Sequence, residues 1–164
     1  MQQLRDRIAA LESENARLRH LEETVRRNAR LFEALLTKSQ DGLLLVTPQM
    51  TFLKMVHSPL GNTDQALAGH SVLPLIHPDD REGFQKVFSH LLANPSEAVC
   101  YECRVSGNDG CWHWMEVEMT DLLDDPDVQA IVFNSRSISQ RKKYEEILRT
   151  AGLRSSGVPG DDNL

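Results

Sequence analysis

The chain has 164 residues, a formal net charge of -6, and three cysteines. That balance argues against a nucleic-acid-binding surface, since basic residues cluster only in the N-terminal segment and at Arg141-Lys142-Lys143. No apolar run approaches the ~20 residues of a spanning helix, no signal peptide is apparent, and sparse, odd-numbered cysteines suit a reducing cytoplasm.

The first 36 residues carry a heptad repeat. Leu4, Leu11, Leu18, Val25 and Phe32 recur every seventh position, and Met1, Ile8, Asn15, Glu22, Ala29 and Leu36 form a companion series. With the first set at d and the second at a, the pattern predicts a coiled-coil helix over 1–36. In a parallel pair Arg7 then faces Glu12 of the partner helix, Glu14 faces Arg19, and Asn15 meets its own copy at an a position. These features predict a parallel homodimer. Glu22 at a and Leu21 at g weaken the second half, and leave open a single amphipathic helix lying on its own domain.

Asp41-Gly42 should stop the helix near Ser39. Leu43 to Val46 and Thr51 to Val56 flank Pro48-Gln49 and read as a hairpin. Residues 58–69 read as loop with short helical turns. His77-Pro78-Asp79-Asp80 is a helix start, because proline suits the first turn and carboxylates suit a helix N-terminus. The helix carries Phe84, Val87, Phe88, Leu91 and Leu92 on one face and stops at Asn94-Pro95. Val99 to Val105 and Cys111 to Met119 form a second hairpin about the loop Ser106 to Gly110. Val128 to Asn134 is a fifth strand, and a helix follows with Tyr144, Ile147 and Leu148 as its stripe. The expected fold is α+β, a five-stranded antiparallel sheet with helices on one face, preceded by a long coiled-coil helix. The divisions are a coil at 1–36, a domain at 37–138, an exit helix at 139–149 and a flexible tail at 150–164.

Four stretches carry a resemblance. They are Leu31 to Leu36 with Asp41 to Val46, Ile76-His77-Pro78-Asp79-Asp80-Arg81, Gly110-Cys111-Trp112-His113-Trp114-Met115-Glu116, and Asn134 to Lys142. In this order and spacing, over about residues 31–149, they resemble a PAS domain of bacterial signalling proteins. The resemblance implies a sensory module, not an enzyme, that passes a ligand- or partner-induced change to an effector in cis or trans. Such effectors are histidine kinases of two-component systems, cyclic-dinucleotide enzymes or transcription regulators. It implies Arg136, Ser137 and Ser139 at the signal exit. There Ser137-Ile138-Ser139 stands where the family usually has Asp-Ile-Thr, so the usual ionic tie is missing. The stretch between Val56 and Leu60 is also shorter than the family's, which implies a small, open or absent cavity and keeps a ligand-free dimerisation or docking module as the alternative.

Strand alternation places His113, Met115 and Val117, with Cys111 and Met119, toward the helices. With Leu45 from the first strand, His113, Met115 and Val117 are the candidate pocket residues. Trp112 and Trp114 fall on the opposite face with Cys100, Glu102, Arg104, Glu116 and Glu118, as candidate contacts for a helix or a partner. A hairpin symmetric about Asn108 pairs Cys103 with His113. Cys103, Cys111 and His113 then share a face while Cys100 points away, so the four do not form a zinc set. A haem reading rests on His90, the only histidine of the helix that carries Phe84 to Leu92; His70 and His77 fall in loops or a cap. Flavin photochemistry in the family uses an Asn-Cys-Arg stretch, and Gly69-His70-Ser71-Val72 has no cysteine. His57-Ser58 has no orienting acid beside it. No metal or cofactor is expected, and any small-molecule ligand is left unidentified.

Overall fold

The computed structural model describes residues 1–152, apart from the side chains of Asp64 and Gln65. The tail expected at 150–164 therefore lies, from residue 153 on, outside the described residues. The chain divides into two compact units, one ending at Ser39 and the next beginning at Gln40.

The first unit is one helix, α1 (Gln2–Lys38), with no buried residue. Its C-terminal end matches its chemistry. Lys38 sits in the last turn, where a cation suits the helix C-terminus, and the Ser39 backbone N–H caps the Leu35 and Leu36 carbonyls. No helix among the described residues is long and apolar enough to cross a membrane.

The second unit is built on five antiparallel strands, β1 (Asp41–Val46), β2 (Phe52–His57), β3 (Val99–Ser106), β4 (Trp112–Leu122) and β5 (Ala130–Ser137), in the order β2-β1-β5-β4-β3. Between β2 and β3 run α2 (Asp64–Leu67), a 3-10 turn (Leu73–Leu75) and α3 (Pro78–Ala93); α4 (Ser139–Thr150) follows β5. The β1–β2 turn holds Met50 at φ 58, a left-handed conformation unusual for a side-chain-bearing residue. Its cost is offset by burial of the Met50 side chain and by Thr47 Oγ1, which accepts the Gln49 and Thr51 N–H groups.

In α3 the first turn is fixed by Pro78, and by His77 Nδ1 accepting the Asp79 N–H at 3.2 Å. Phe84, Phe88 and Leu91 turn inward, whereas Leu92, expected on the same stripe, is exposed. They pack on Val46, Phe52, Met115, Met119, Ile131 and Phe133 from the sheet. Phe133 is the hub, with T-shaped contacts to Phe84 (5.7 Å) and Phe88 (5.9 Å).

Two expectations about register are corrected. Cys103 pairs with Met115 and Val105 with His113, a shift of two residues from a hairpin symmetric about Asn108. The loop is Gly107 to Cys111, closed by the Gly107 N–H on the Cys111 carbonyl, with Gly110 at φ 74. Because the shift is even, every side chain keeps its face. The fifth strand begins at Ala130 and runs on to Ser137, three residues past the expected end at Asn134, because each residue from Ala130 pairs with β4.

Candidate functional site

Between the sheet and the 57–76 segment lies a cavity of about 60 Å³. Met55, Leu60, Val72, Ile76, Phe84, Met115 and Phe133 make most of its wall. Gly42, His57, Ser58, Asn62 and Ser135 also line it. The wall is held in place by hydrogen bonds to the β3–β4 hairpin. The Asn108 N–H donates to the Leu60 carbonyl (3.0 Å), and the Asn62 amide donates to the Ser106 carbonyl (3.3 Å). The volume is far below the ~300–1,000 Å³ of ordinary ligand sites.

Met115 and Val117 line this cavity; His113 and Leu45 do not. Leu44 stands where Leu45 was expected. On β1, Gly42, Leu44 and Val46 share the inner face, opposite Ser135, Phe133 and Ile131 of β5, while Leu45 pairs with Lys54 and Val132. The run Leu43 to Val46 is apolar throughout, so no alternation marks its inner phase. His113 lies beyond the cavity, where its Nε2 meets both Asp109 carboxylate oxygens at 3.0 and 2.9 Å.

The three cysteines are separated in depth. Cys103 is fully buried, and burial pushes its thiol up to about 12. Cys100 is exposed, yet partial burial and then Glu116, Glu118 and Glu102 raise its thiol above the ordinary range. Cys111 is exposed in the hairpin loop. Among the described residues no three His, Cys, Asp or Glu groups gather in metal-binding geometry. His90 is exposed on α3, 3.5 Å from Glu97. Because the thiolate is the reactive form, iodoacetamide at pH 7.5 is expected to label Cys111 first, Cys100 later and Cys103 only after unfolding, as peptide mass spectrometry will read. Labelling of Cys103 in the native chain would contradict its placement.

The outer face of the sheet carries the charged groups. Glu102 and Glu116 sit directly opposite each other on β3 and β4, a like-charge pair that costs stability alone. Cations from α4 offset it. Lys142 Nζ reaches Glu102 at 2.7 Å, and Arg141 bonds Glu102 and lies 3.9 Å from Glu116. The Glu102 carboxyl is held below its usual range, first by the Lys142 hydrogen bond. Lys142 also lies 4.9 Å from the centre of the Trp114 ring, and Arg104 lies 5.2 Å from it, both within cation–π range. Trp112 is 45% exposed and makes a T-shaped ring contact with His77, at 4.9 Å.

The start of α4 is tied to the same strand. The Ile138 N–H donates to the Trp114 carbonyl at 2.9 Å, and Ser139 Oγ donates to it at 3.5 Å. Ser137 Oγ lies 3.5 Å from Ser139 Oγ. Arg136 makes a two-pronged ion pair with Asp41, at 2.9 and 3.1 Å, which holds the Asp41 carboxyl below its usual range. The hydroxyls at 137 and 139 thus make neutral contacts, and ionic fastening comes from Asp41–Arg136 and Glu102 with Arg141 and Lys142. Asp41, Glu102, Arg141 and Lys142 were missed from the sequence. The only signal was charge, and the Asp41–Arg136 pair spans 95 positions.

Residues 54–133 match the family described as PAS fold. This segment has a PAS-like fold. Among solved structures, Drosophila melanogaster Cycle PAS-B with bound ethylene glycol is similar at 14% identity and a TM-score of 0.49, covering 58% of this chain and 96% of that one. No curated protein matches the sequence. The matched segment runs from within β2 into β5, so β3 and β4, which line the cavity and hold the start of α4, lie inside it, whereas β1 precedes it.

Proposed function

We propose that this chain is a signal-relay module in which the PAS domain regulates an effector outside this sequence and α1 joins two copies as a parallel coiled coil. One observation carries the relay. On β4, Met115 and Val117 face the cavity while Trp114 and Glu116 face α4, so one strand meets both the cavity and the exit helix. A change at the inner face moves a strand whose outer face fastens α4. Effectors that suit this arrangement are histidine kinases, cyclic-dinucleotide enzymes and transcription regulators of bacterial signalling, and the compartment is the cytoplasm. The module is regulatory rather than catalytic.

Dimerisation rests on the exposed stripe Leu4, Ile8, Leu11, Leu18, Val25 and Phe32, on Asn15 at a, and on the complementary pairs Arg7–Glu12 and Glu14–Arg19. A chain beginning at Arg30 is expected to sediment as a monomer at concentrations where the full chain is a dimer. An unchanged dimer would assign association to the sheet face carrying Trp112.

The cavity's size favours a second reading, a docking module that takes no ligand. A small-metabolite thermal-shift panel with hydrogen exchange on α4 separates the two. A stabilising ligand that alters exchange in α4 supports sensing; no shift across the panel supports docking. Haem sensing by His90 finds no support in that residue's exposed position outside the cavity wall.

A further inference from the structure

The residues Leu4, Leu11, Leu18, Val25 and Phe32 form a ridge along α1, each half or more exposed, from 50% at Leu11 to 66% at Val25. A ridge alone does not fix a coiled-coil seam, because residues on either side can complete it. Positions four after a ridge residue lie on one side, and positions three after it lie on the other.

Before Leu18 the choice is clear. The first side offers Ile8 and Asn15, and the second offers Arg7 and Glu14. After Leu18 the preference reverses. The first side offers Glu22, Ala29 and Leu36; the second offers Leu21, Asn28 and Leu35. Leu21 against Glu22 decides it, since a carboxylate in a coiled-coil core is desolvated beside its own copy. The Glu22 carboxylate already turns away to Arg26, at 2.8 Å. Leu21 and Leu35 are 49% and 61% exposed, unburied by their own chain.

Charge gives a separate argument. If the seam stays on the first side, Leu21 and Asn28 at g face Arg26 and Glu33 of the second copy, with no opposite charges. If it crosses, Glu22 moves to e and faces Arg17 at g of the second copy, an opposite-charge pair.

We propose that a second copy of this chain packs on α1 through a seam that crosses its ridge at Leu18. This rests on the parallel dimer above. The core then reads Ile8, Leu11, Asn15, Leu18, Leu21, Val25, Asn28, Phe32, Leu35, with two successive three-residue steps meeting at Leu18. Such a step overwinds the coil locally. The ridge passes from d to a, which turns the helix face by about 50° relative to an unbroken repeat. The half after Leu18 therefore has two packings that share a ridge, and axial rotation exchanges them without separating the helices.

Disulfide trapping tests this in the full chain, with Cys100→Ser and Cys111→Ser removing the exposed thiols. Single cysteines are placed by Arg7→Cys, Ile8→Cys, Leu21→Cys and Glu22→Cys. Ile8→Cys should cross-link about tenfold faster than Arg7→Cys, and Leu21→Cys about tenfold faster than Glu22→Cys, because only core positions bring the Cβ atoms close enough. If Ile8→Cys leads but Glu22→Cys equals or exceeds Leu21→Cys, the crossing is overturned and the parallel dimer stands. If Ile8→Cys does not cross-link, the dimer reading itself fails. A variant without a new thiol gives an independent reading. Glu22→Gln is expected to weaken the dimer about threefold at low salt by removing the Arg17 pair; a tighter dimer would place Glu22 in the core and overturn the crossing.

Discussion

Replacing Phe133 by alanine is expected to destabilise the domain by about 3–5 kcal/mol. Phe133 is 3% exposed, stacks edge-on against both α3 phenylalanines and lines the cavity wall. Its removal takes away the transfer energy of a buried ring, the two aromatic contacts, and the wall that keeps the cavity near 60 Å³. The loss is a large share of the ~5–15 kcal/mol that ordinary domains possess. Urea melts followed by tryptophan fluorescence will measure it. Phe133→Leu should cost less, since most of the volume is kept. A change under about 1 kcal/mol for the alanine variant would show that α3 does not pack on β5 as described.

The second large effect is expected at Asp80, which sits where α3 meets the sheet edge. Its carboxylate accepts the Arg104 backbone N–H and Nε at 2.9 Å, and Nη2 at 2.8 Å. The pair is mostly sheltered, with side chains 13% and 27% exposed. β3 is an edge strand, and here its backbone is paired by the start of α3, since the His77 N–H also donates to the Arg104 carbonyl. Asp80→Ala should cost about 2–3 kcal/mol, because it leaves the Arg104 backbone N–H without its partner and the guanidinium with the more distant, exposed Asp79 at 3.6 Å. Arg104 should also lose its position over Trp114, changing the indole fluorescence.

The acid dependence of this site has a definite sign. The Arg104 hydrogen bond is the main cause that lowers the Asp80 carboxyl below its ordinary value. A depressed carboxyl stabilises the fold above the unfolded-state pKa of about 3.9, and that stability is lost as pH falls through the lower folded value. The stability gap between the native chain and Asp80→Asn should be flat from pH 8 to about 5, then narrow below about pH 4. A gap that widens in acid would show that the charged pair is not what Asp80 contributes.

Local signals gave the elements, and long-range chemistry escaped them. Pro78, the acidic pair after it and the spacing of Phe84, Phe88 and Leu91 define α3, because each acts within a turn or two. Strand alternation through Trp112 to Met119 separates the two faces of β4, and the even shift in the hairpin leaves them unchanged. The apolar run Leu43 to Val46 offers no alternation, so the inner residue was misplaced by one. Phe133 lies in the middle of β5 with nothing local to mark it as the hub of the core. The fastening of α4 was not legible, since Glu102 and Lys142 are ordinary surface residues until the fold brings them together.

The Asp41–Arg136 pair has a consequence beyond fastening. It joins the first residue of β1 to the penultimate residue of β5, and these strands are neighbours in the middle of the sheet. The domain's two backbone boundaries therefore emerge side by side. A unit built this way can be spliced into another polypeptide with little disturbance to the host on either side of the insertion. It should also tolerate circular permutation, with a few residues joining Arg136 to Asp41 and new ends opened in the Gly107–Cys111 loop.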